Sequence, residues 1–372
     1  MAVKTQIKKI AINTGGGDAP GLNAVIRAAT ISALSKGWEV LGIRDGFNGV
    51  LQPELYDSEF PGYFDLDRKA VRGITHLGGT ILGTTNRGNP LAFPVEKENG
   101  EFELVDRCPE LVEKLRTLGV DALVAIGGDG SMKIAQRISQ CGMPTVGVPK
   151  TIDNDLQHTV ATFGFDSAVA FATDAVDRLH STAHAHQRTM VVEVMGRYAG
   201  WIALHAGVAG TADVILMPEI PYDIEKVLAK VQERYHGGMG FCIIVIAEGA
   251  KPVGGDYSII GKSIGQAERL GGAGAALSAI IGEQLGVETR CTVLGHLQRG
   301  GSPTAQDRLL SLRFGSAAVR TLADGISNVM VVLDPPDVKY VGLDEVIDNM
   351  KLVPLDCDTI QTARDLGVCL GD

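Results

Sequence analysis

Short apolar runs recur along most of the chain, each followed by a glycine or Asp/Asn turn and then by a segment with helical apolar spacing. One run, Phe241–Ala247, is apolar on both faces of a strand, which is typical of a parallel sheet covered by helices. The alternation predicts an α/β fold whose functional residues lie at the carboxyl ends of the strands. The predicted strands are Ile7–Ile12, Trp38–Ile43, Ala122–Ile126, Thr145–Val148, Thr189–Val194, Val214–Leu216 and Phe241–Ala247, and the predicted helices include Leu22–Leu34, Leu111–Leu118 and Met132–Ile138.

Composition narrows the class of protein. A chain of 372 residues with 45% apolar and 21% charged residues is typical of a globular protein of about two domains. The net charge of −10 and the lack of a basic tract disfavour nucleic acid and membranes as partners. No apolar run approaches the length of a membrane span, and the six cysteines form no C-x-x-C pair. We therefore expect a cytoplasmic protein with reduced thiols.

The segment Ile126–Ser131 carries the first chemical signal. It follows an apolar run and precedes a predicted helix, so it bares backbone N–H groups at a helix N-terminus, where anions are favoured. Asp129 within this turn repels phosphate unless a divalent cation lies between them, which indicates Mg²⁺.

The segment Pro149–Asp155 carries the second signal. It places two carboxylates and a threonine hydroxyl just after another apolar run. One carboxylate can take a proton from an attacking hydroxyl while the other helps to hold metal or water. An Asx turn with self-satisfying side chains is the alternative interpretation. Together with the glycine turn, the segment indicates phosphoryl transfer.

Further motifs give the chain a family resemblance. With the two segments above, they resemble the 6-phosphofructokinase family over most of the length, from Thr14 to about Asp307. The additional motifs are Thr14–Asn23, His186–Arg188, Val194–Gly200 and Gly295–Gly301. The resemblance implies two α/β lobes, each with a mainly parallel sheet flanked by helices. Residues 1–164 and 298–348 would form the nucleotide-phosphate and Mg²⁺ lobe, and residues 165–297 and 349–372 the sugar-phosphate lobe.

The resemblance also implies roles for individual residues. Asp153 would be the base that activates the sugar hydroxyl, Thr151 would touch the transferring phosphoryl group, and Arg197 would meet the transition-state charge. Asp129 and Asp155 would support Mg²⁺. The residues implied to bind nucleotide or phosphate are Gly16, Gly17, Arg87, Gly128, Gly130, Ser131 and Lys150.

A second set of residues would bind the sugar phosphate. Arginines beside glycine, histidine or strand ends suit phosphate because the guanidinium group is planar and can bind with two donors. Arg188 and Arg290 would reach the phosphate from a neighbouring subunit, so the resemblance implies a homo-oligomer with shared active sites. The full set implied to contact the sugar phosphate is Thr151, Arg188, Met195, Gly196, Arg197, Glu248, Arg290, His296 and Arg299.

Three positions bear on the phosphoryl donor. Lys150 stands where the best-known ATP-dependent pattern has glycine; lysine there is typical of pyrophosphate-dependent members but also occurs in ATP-dependent ones of the mixed-substrate branch. Gly130 is the glycine of ATP users, whereas an aspartate there would repel the α-phosphate of ATP. Ile134 replaces a small residue expected near the adenine. We favour ATP, with pyrophosphate as the alternative.

The resulting hypothesis is phosphoryl transfer from Mg-ATP to the 1-hydroxyl of fructose 6-phosphate, giving fructose 1,6-bisphosphate in glycolysis. A catalytically silent sugar-phosphate-binding regulatory subunit is an alternative of another class, disfavoured by the presence of Asp153, Asp129 and Arg197. NAD kinases and lipid kinases share the Gly127–Gly130 pattern but lack the Thr151–Asp155 segment.

Overall fold

The computed structural model describes residues 7–97, 100–256, 259–261 and 269–372. The strands are β1 Lys9–Thr14, β2 Glu39–Ile43, β3 Tyr63–Asp65, β4 Phe93–Glu96, β5 Phe102–Val105, β6 Ala122–Gly127, β7 Thr145–Pro149, β8 Thr189–Val194, β9 Val214–Leu216, β10 Cys242–Ala247, β11 Ile259–Gly261, β12 Arg269–Leu270, β13 Thr289–Val293, β14 Val329–Asp334 and β15 Asp337–Gly342. The α-helices are α1 Leu22–Leu34, α2 Asn48–Leu51, α3 Cys108–Thr117, α4 Asp129–Gln140, α5 Phe165–His186, α6 Trp201–Ala209, α7 Ile224–His236, α8 Ala273–Leu285, α9 Ala305–Ala323, α10 Leu343–Val346 and α11 Asp358–Asp365, and 3₁₀ turns span Pro53–Leu55 and Gly295–Arg299.

The chain divides into two compact units. The first comprises the described residues up to Thr151 together with Leu156–Gly164 and Arg299–Met350; the second comprises Ile152–Asp155, Phe165–Gln298 and Lys351–Asp372. The family resemblance implies that residues 152–155 belong to the first lobe, whereas in the structure they group with the second unit. Within that unit the backbone N–H of Lys351 donates to the carbonyl of Asp155 at 2.9 Å. The boundary between Gly164 and Phe165 coincides with the predicted one, and the two later boundaries differ from the predicted ones by one and two residues, respectively.

The first unit is built on a seven-stranded sheet of order β15-β14-β7-β6-β1-β2-β3. All neighbouring pairs are parallel except those made by the edge strands β15 and β3, which are antiparallel. The side chains of β1 alternate between two buried clusters, with Ile10 and Ile12 on the face covered by α1 and α9 and Ala11 on the face covered by α3 and α4. Both faces of this sheet are therefore covered by helices.

The second unit is built on a four-stranded sheet of order β13-β8-β10-β9, in which every pair is parallel. All six residues of β10 are buried, as the uninterrupted apolar run predicted. Helices α7 and α8 cover one face through side chains such as Val227, Leu277 and Ile281. The predicted fold class, α/β with mainly parallel sheets flanked by helices, is confirmed. Within the described ranges, none of the helices combines the length and apolar character needed to cross a bilayer.

The predicted elements agree with the structure to within three residues, and the starts of α3 and α4 differ the most. The start of α4 matters for the site. Asp129 is the first residue of α4 and does not lie in the turn before it. The backbone N–H groups of Ser131 and Met132 donate to the carbonyl of Gly128 at 2.9 and 3.0 Å, which begins the helix three residues earlier than the apolar spacing suggested. The carboxylate of Asp129 therefore lies at the positive end of the helix dipole.

Helices α1 and α9 approach closely in the first unit. A Cβ atom at Gly315, inside α9, would lie 2.6 Å from the carbonyl oxygen of Val25 and 2.9 Å from the Cβ atom of Ala28. Side chains that flank this contact, among them Phe314 and Ala318, are buried in the same cluster as Val25. The missing side chain at Gly315 is what lets the two helix backbones come together.

Replacing Gly315 with alanine should lower the free energy of unfolding by about 1–3 kcal/mol, because the added methyl group overpacks the contact. This loss should outweigh the gain of about 1 kcal/mol in helix propensity. Gly282→Ala in α8 is the matched control, since the nearest described atom to a Cβ there is the Val287 carbonyl oxygen at 3.9 Å. The control should be neutral or slightly stabilising. Thermal and urea unfolding of both variants provide the measurement, and equal stability of the two would contradict the close contact.

Candidate active site

A glycine turn after β1 forms one wall of a candidate site in the first unit. The N–H of Gly15 donates to the carbonyl of Ile126 at 2.9 Å, which ties the turn to the end of β6. Gly16 adopts a left-handed φ of 77°, a conformation that glycine reaches without steric cost. A Cβ atom at Gly15 would lie 2.8 Å from the hydroxyl oxygen of Ser131. The turn is thus in close contact with the first turn of α4.

The end of β6 and the start of α4 form the second wall. A Cβ atom at Gly127 would overlap the side chain of Ser131, so only glycine allows the strand to end this close to the helix. At Gly130 the situation is the opposite, because no described heavy atom lies within 4 Å of the Cβ position. The exposed N–H groups of a helix N-terminus bind anions. This wall therefore offers donors and open space for a phosphate group.

Lys150 and Thr151 follow β7 at the same edge of the sheet. The N–H of Lys150 donates to the carbonyl of Gly127 at 2.9 Å, and its ammonium group donates to the carbonyl of Gly17. The Lys150 side chain is buried, and its ammonium brings a positive charge beside the glycine turn. The carbonyl of Thr151 accepts a hydrogen bond from the Thr162 hydroxyl at 2.7 Å.

Two arginines flank the glycine turn differently. Arg299 donates from Nη1 to the carbonyl of Asp18 at 3.0 Å, and a Cβ atom at Gly17 would come within 2.8 Å of that nitrogen. The Arg87 side chain is exposed, and its backbone N–H donates to the Thr85 hydroxyl at 2.9 Å. The carbonyl of Thr85 in turn accepts from the N–H of Gly16 at 3.3 Å. The structure therefore brings the predicted donor-binding residues of the first unit to one edge, together with Arg299, which is predicted to bind the sugar phosphate.

Asp129 is the predicted metal-binding carboxylate of this edge. Its carboxylate lies 3.2 Å from the ammonium of Lys133, which also contacts Asp348 at 2.8 Å. Among the described residues, no three His, Cys, Asp or Glu side chains are grouped as a metal site. Mg²⁺ does not require such a group, because it keeps several waters and binds through one or two carboxylates plus substrate phosphates. A single half-exposed carboxylate beside the open space at Gly130 fits such an ion.

In the second unit, several of the residues predicted to bind the sugar phosphate lie at the carboxyl ends of the strands. Met195, Gly196 and Arg197 follow β8, and Glu248 follows the neighbouring strand β10. The N–H of Glu248 donates to the carbonyl of Val194 at 2.9 Å, so the two strand ends remain side by side. The guanidinium carbon of Arg197 lies 4.9 Å from the ring centroid of Tyr198.

Gly249 allows the ends of β8 and β10 to approach each other more closely. A Cβ atom at Gly249 would overlap the carbonyl of Arg197, and the N–H of Gly249 donates to the carbonyl of Gly196 at 3.1 Å. His296 is exposed and lies in the 3₁₀ turn that follows β13. Because β13 pairs with β8 in parallel, His296 lies at the same edge as Arg197.

Arg188 and Arg290 lie at the opposite edge of that sheet. Arg188 precedes β8, and Arg290 is the second residue of β13. The carboxylate of Glu288 joins them, with 2.7 Å to Nε of Arg188 and 2.5 Å to Nη2 of Arg290. The hydrogen bond from Arg188 and the charges of both arginines lower the pKa of Glu288. The motifs of the sequence did not indicate Glu288. It lies two positions before Arg290, and residues two apart in a strand lie on the same face, so this spacing could have indicated the contact.

The segment Ile152–Asp155 is held by a residue that no motif indicated. Asn154 is buried and adopts a φ of 52°, and its side-chain oxygen accepts a hydrogen bond from the ammonium of Lys351 at 2.9 Å. Asp153, before it, is half-buried. Burial lowers the pKa of Lys351 to about 8, although the negative charge of Asp155 opposes that shift. Lys351 lies outside every sequence motif, and nothing in its neighbourhood along the chain signalled this contact.

These features define an α/β protein with a glycine-lined candidate site for anions at the end of a parallel sheet. A family model described as phosphofructokinase matches residues 9–322. The chain is 49% identical over 372 residues to an ATP-dependent 6-phosphofructokinase of Chloroflexus aggregans, covering 100% of this chain and 99% of the relative. It is 48% identical to ATP-dependent 6-phosphofructokinase 2 of Clostridium perfringens, covering 98% and 99%.

A solved structure of a phosphofructokinase has a similar fold. Phosphofructokinase from Saccharomyces cerevisiae superposes with a TM-score of 0.75 at 29% identity, over 91% of this chain and 45% of that one. The chain spans less than half of the yeast subunit but nearly all of the bacterial relatives. The protein belongs to the phosphofructokinase family.

Proposed function

We propose that the protein transfers a phosphoryl group from Mg-ATP to the 1-hydroxyl of fructose 6-phosphate, giving fructose 1,6-bisphosphate in glycolysis. The observation that carries the choice of donor is the open space at Gly130, which begins directly at the anion-binding first turn of α4. A nucleotide needs room beyond the β- and γ-phosphates, and a side chain at this position would take it. The similarity to relatives named as ATP-dependent supports the same donor.

The first unit would bind the donor phosphates. Backbone N–H groups at Gly16, Gly17 and the start of α4 would meet phosphate oxygens, and the ammonium of Lys150 adds a buried positive charge at the same turn. Arg87 would reach the phosphates from its exposed loop, and Arg299 would present its remaining donors to the sugar phosphate. Locally clustered cations are needed here because the chain carries a net charge of −10.

Mg²⁺ would be held by Asp129 and supported by Asp155. When bound, such a cation neutralises the charge of the phosphate oxygens and lowers their repulsion of the attacking oxygen. Asp129 is the first residue of α4, and its position beside the exposed N–H groups of that helix start supports this role. Lys133 contacts that carboxylate at 3.2 Å and so balances part of its charge.

The acceptor, fructose 6-phosphate, would react with the help of residues from two segments, one that follows β7 and one that follows β8. Asp153 would accept the proton of the sugar 1-hydroxyl as its oxygen attacks the γ-phosphorus, while the bond between the γ-phosphorus and the β–γ bridging oxygen breaks and ADP leaves. Thr151 would donate a hydrogen bond to the transferring group. Arg197 would stabilise the charge that spreads over the equatorial oxygens. Glu248 would accept hydrogen bonds from sugar hydroxyls, Met195 and Gly196 would pack beside the sugar, and His296 would donate to the sugar phosphate.

The positions of Arg188 and Arg290 support an active site that is shared between subunits. Met195 lies seven positions after Arg188, with β8 between them, which corresponds to about 23 Å of extended chain. A sugar phosphate bound at the carboxyl edge of this sheet is therefore out of reach of Arg188 in the same chain. In a symmetric oligomer the two arginines can instead meet the phosphate bound to a neighbouring copy.

Replacing Asp153 with asparagine should lower kcat by a factor on the order of 10²–10⁴, because the variant keeps the shape of the side chain but cannot accept the proton. The KM for fructose 6-phosphate should change little. The measurement is a coupled assay with ATP, and Asp356→Asn, an exposed carboxylate of the same unit, is the matched control. A kcat within a few-fold of the unchanged protein would rule out Asp153 as the base.

Replacing Gly130 with aspartate should abolish most use of ATP. At an effective dielectric constant near 20, like charges about 4 Å apart repel by roughly 4 kcal/mol, or close to a thousandfold in affinity. Gly130→Asn adds nearly the same volume without the charge and should lose less of the activity with ATP. Comparison of the two variants therefore separates the effect of charge from the effect of size. Rates with ATP and with pyrophosphate should be compared in both variants. Preference of the unchanged protein for pyrophosphate would assign donor choice to Lys150 or Ile134 instead.

If the active site is shared between subunits, two weakly active variants with lesions on opposite sides of the site should complement each other. An Asp153→Asn variant and an Arg188→Met variant should each be weakly active, whereas reassembled mixtures should recover a fraction of the activity, because some sites combine an intact Asp153 with an intact Arg188. Arg290→Met should behave like Arg188→Met, and a mixture of these two arginine variants should recover nothing, since both lesions fall on the same side of the shared site. Absence of recovery with Asp153→Asn, once subunit exchange is shown by native mass spectrometry, would contradict a shared site.

A further inference from the structure

A short stretch of the second unit, Lys351–Val353, is called the strap here. It lies between α10 and α11 and contacts the segment that carries Asp153 twice. The backbone N–H of Lys351 donates to the carbonyl of Asp155 at 2.9 Å, and its ammonium donates to the side-chain oxygen of Asn154 at 2.9 Å. Asp153 is thus followed directly by two residues that Lys351 holds in place.

The same strap also reaches the turn that carries Arg197. The indole N–H of Trp201, the first residue of α6, donates to the carbonyl of Lys351 at 2.9 Å. The N–H of Val353 donates to Oε1 of Glu219 at 2.9 Å. The carboxylate of Glu219 also accepts from the N–H of Gly200, at 3.0 and 3.1 Å for its two oxygens. Gly200 ends the turn that begins at Gly196, so the strap connects the Asp153 and Arg197 segments.

A lysine suits this position for physical reasons. Asn154 has a left-handed backbone conformation that costs a non-glycine residue roughly 1 kcal/mol or more, so it needs contacts that hold it there. A charge-assisted hydrogen bond is the stronger type available for this purpose. The ammonium also lies 5.5 Å from the ring centroid of Trp201, where cation–π attraction contributes to its placement. Removal of the ammonium would leave the buried Asn154 amide without this donor.

We propose that Lys351 is a positioning residue for phosphoryl transfer, holding Asp153 through Asn154 and Asp155 and linking it through the strap to the turn of Arg197. The inference rests on the proposed function, in which Asp153 is the base. Lys351 would not touch the substrates. Its effect would be on the alignment of the base with the sugar hydroxyl, and a misplacement of about 1 Å can cost about a hundredfold in rate.

Lys351→Met should therefore lower kcat by about 10- to 100-fold while the KM values for ATP and fructose 6-phosphate change by less than about threefold. Lys351→Arg keeps a cationic donor and should recover part of kcat. Lys339→Met, which removes an exposed lysine paired with Asp334, is the matched control and should leave kcat unchanged. Trp201→Phe keeps an aromatic ring but removes the indole N–H that donates to the strap, so it should also lower kcat. This variant provides the test if Lys351→Met fails to fold.

A double-mutant cycle with Asp153→Asn separates positioning from general destabilisation. If Lys351 acts through Asp153, Lys351→Met should cost much less in kcat when Asp153 is already asparagine than it does alone. Full additivity of the two losses, an effect confined to KM, or an unchanged kcat in folded Lys351→Met would overturn the proposal. A near-normal kcat in Asp153→Asn itself would instead refute the proposed base, so the two failures are distinguishable.

Discussion

Parallel strand pairing is the constraint on which both candidate regions depend. In a parallel sheet all strands end at the same edge, so the turns after β1, β6 and β7 converge in the first unit although their sequences lie far apart. The same rule brings the ends of β8, β10 and β13 together in the second unit. It also separates Arg188 and Arg290 from that edge, because they lie where β8 and β13 begin.

Close backbone approach then shapes the anion site. Side chains are excluded at Gly15 and Gly127 by Ser131 in the first turn of α4, whereas the space at Gly130 stays open among the described residues. The turn is also held by the ammonium of Lys150, a buried charge in an acidic chain. Local geometry and local charge thus oppose the overall negative field, which by itself would repel a phosphate.

The segment between Lys150 and Asp155 has little regular secondary structure and is held by tertiary contacts. Lys150 is bonded to the end of β6, Thr151 to the hydroxyl of Thr162, and Asn154 and Asp155 to Lys351. The chain passes from the first unit to the second within this stretch, between Thr151 and Ile152. Its conformation depends on contacts with residues distant in the sequence, which is why a substitution outside the segment can be expected to affect it.

The relation between sequence and structure differs between the elements and the site. The strands Thr189–Val194 and Val214–Leu216 and the helix Leu22–Leu34 have the predicted bounds, since apolar periodicity is a local property that tertiary packing preserved here. The glycine turns were also predictable, because glycine marks the positions where backbones approach. The start of α4 at Asp129 was not, because it is set by hydrogen bonds to Gly128 rather than by apolar spacing.

By itself, the sequence determined the α/β class, the strand ends at which the candidate site residues lie and the residue types available there, because each of these follows from short-range patterns. Only the tertiary structure decided that Ile152–Asp155 groups with the second unit, that Glu288 joins two arginines from different strands, and that Lys351 holds Asn154. The last contact links positions 197 residues apart. A pairing over that distance leaves no mark in local periodicity or composition, since it is created by the packing of elements and not by the chain on either side of it.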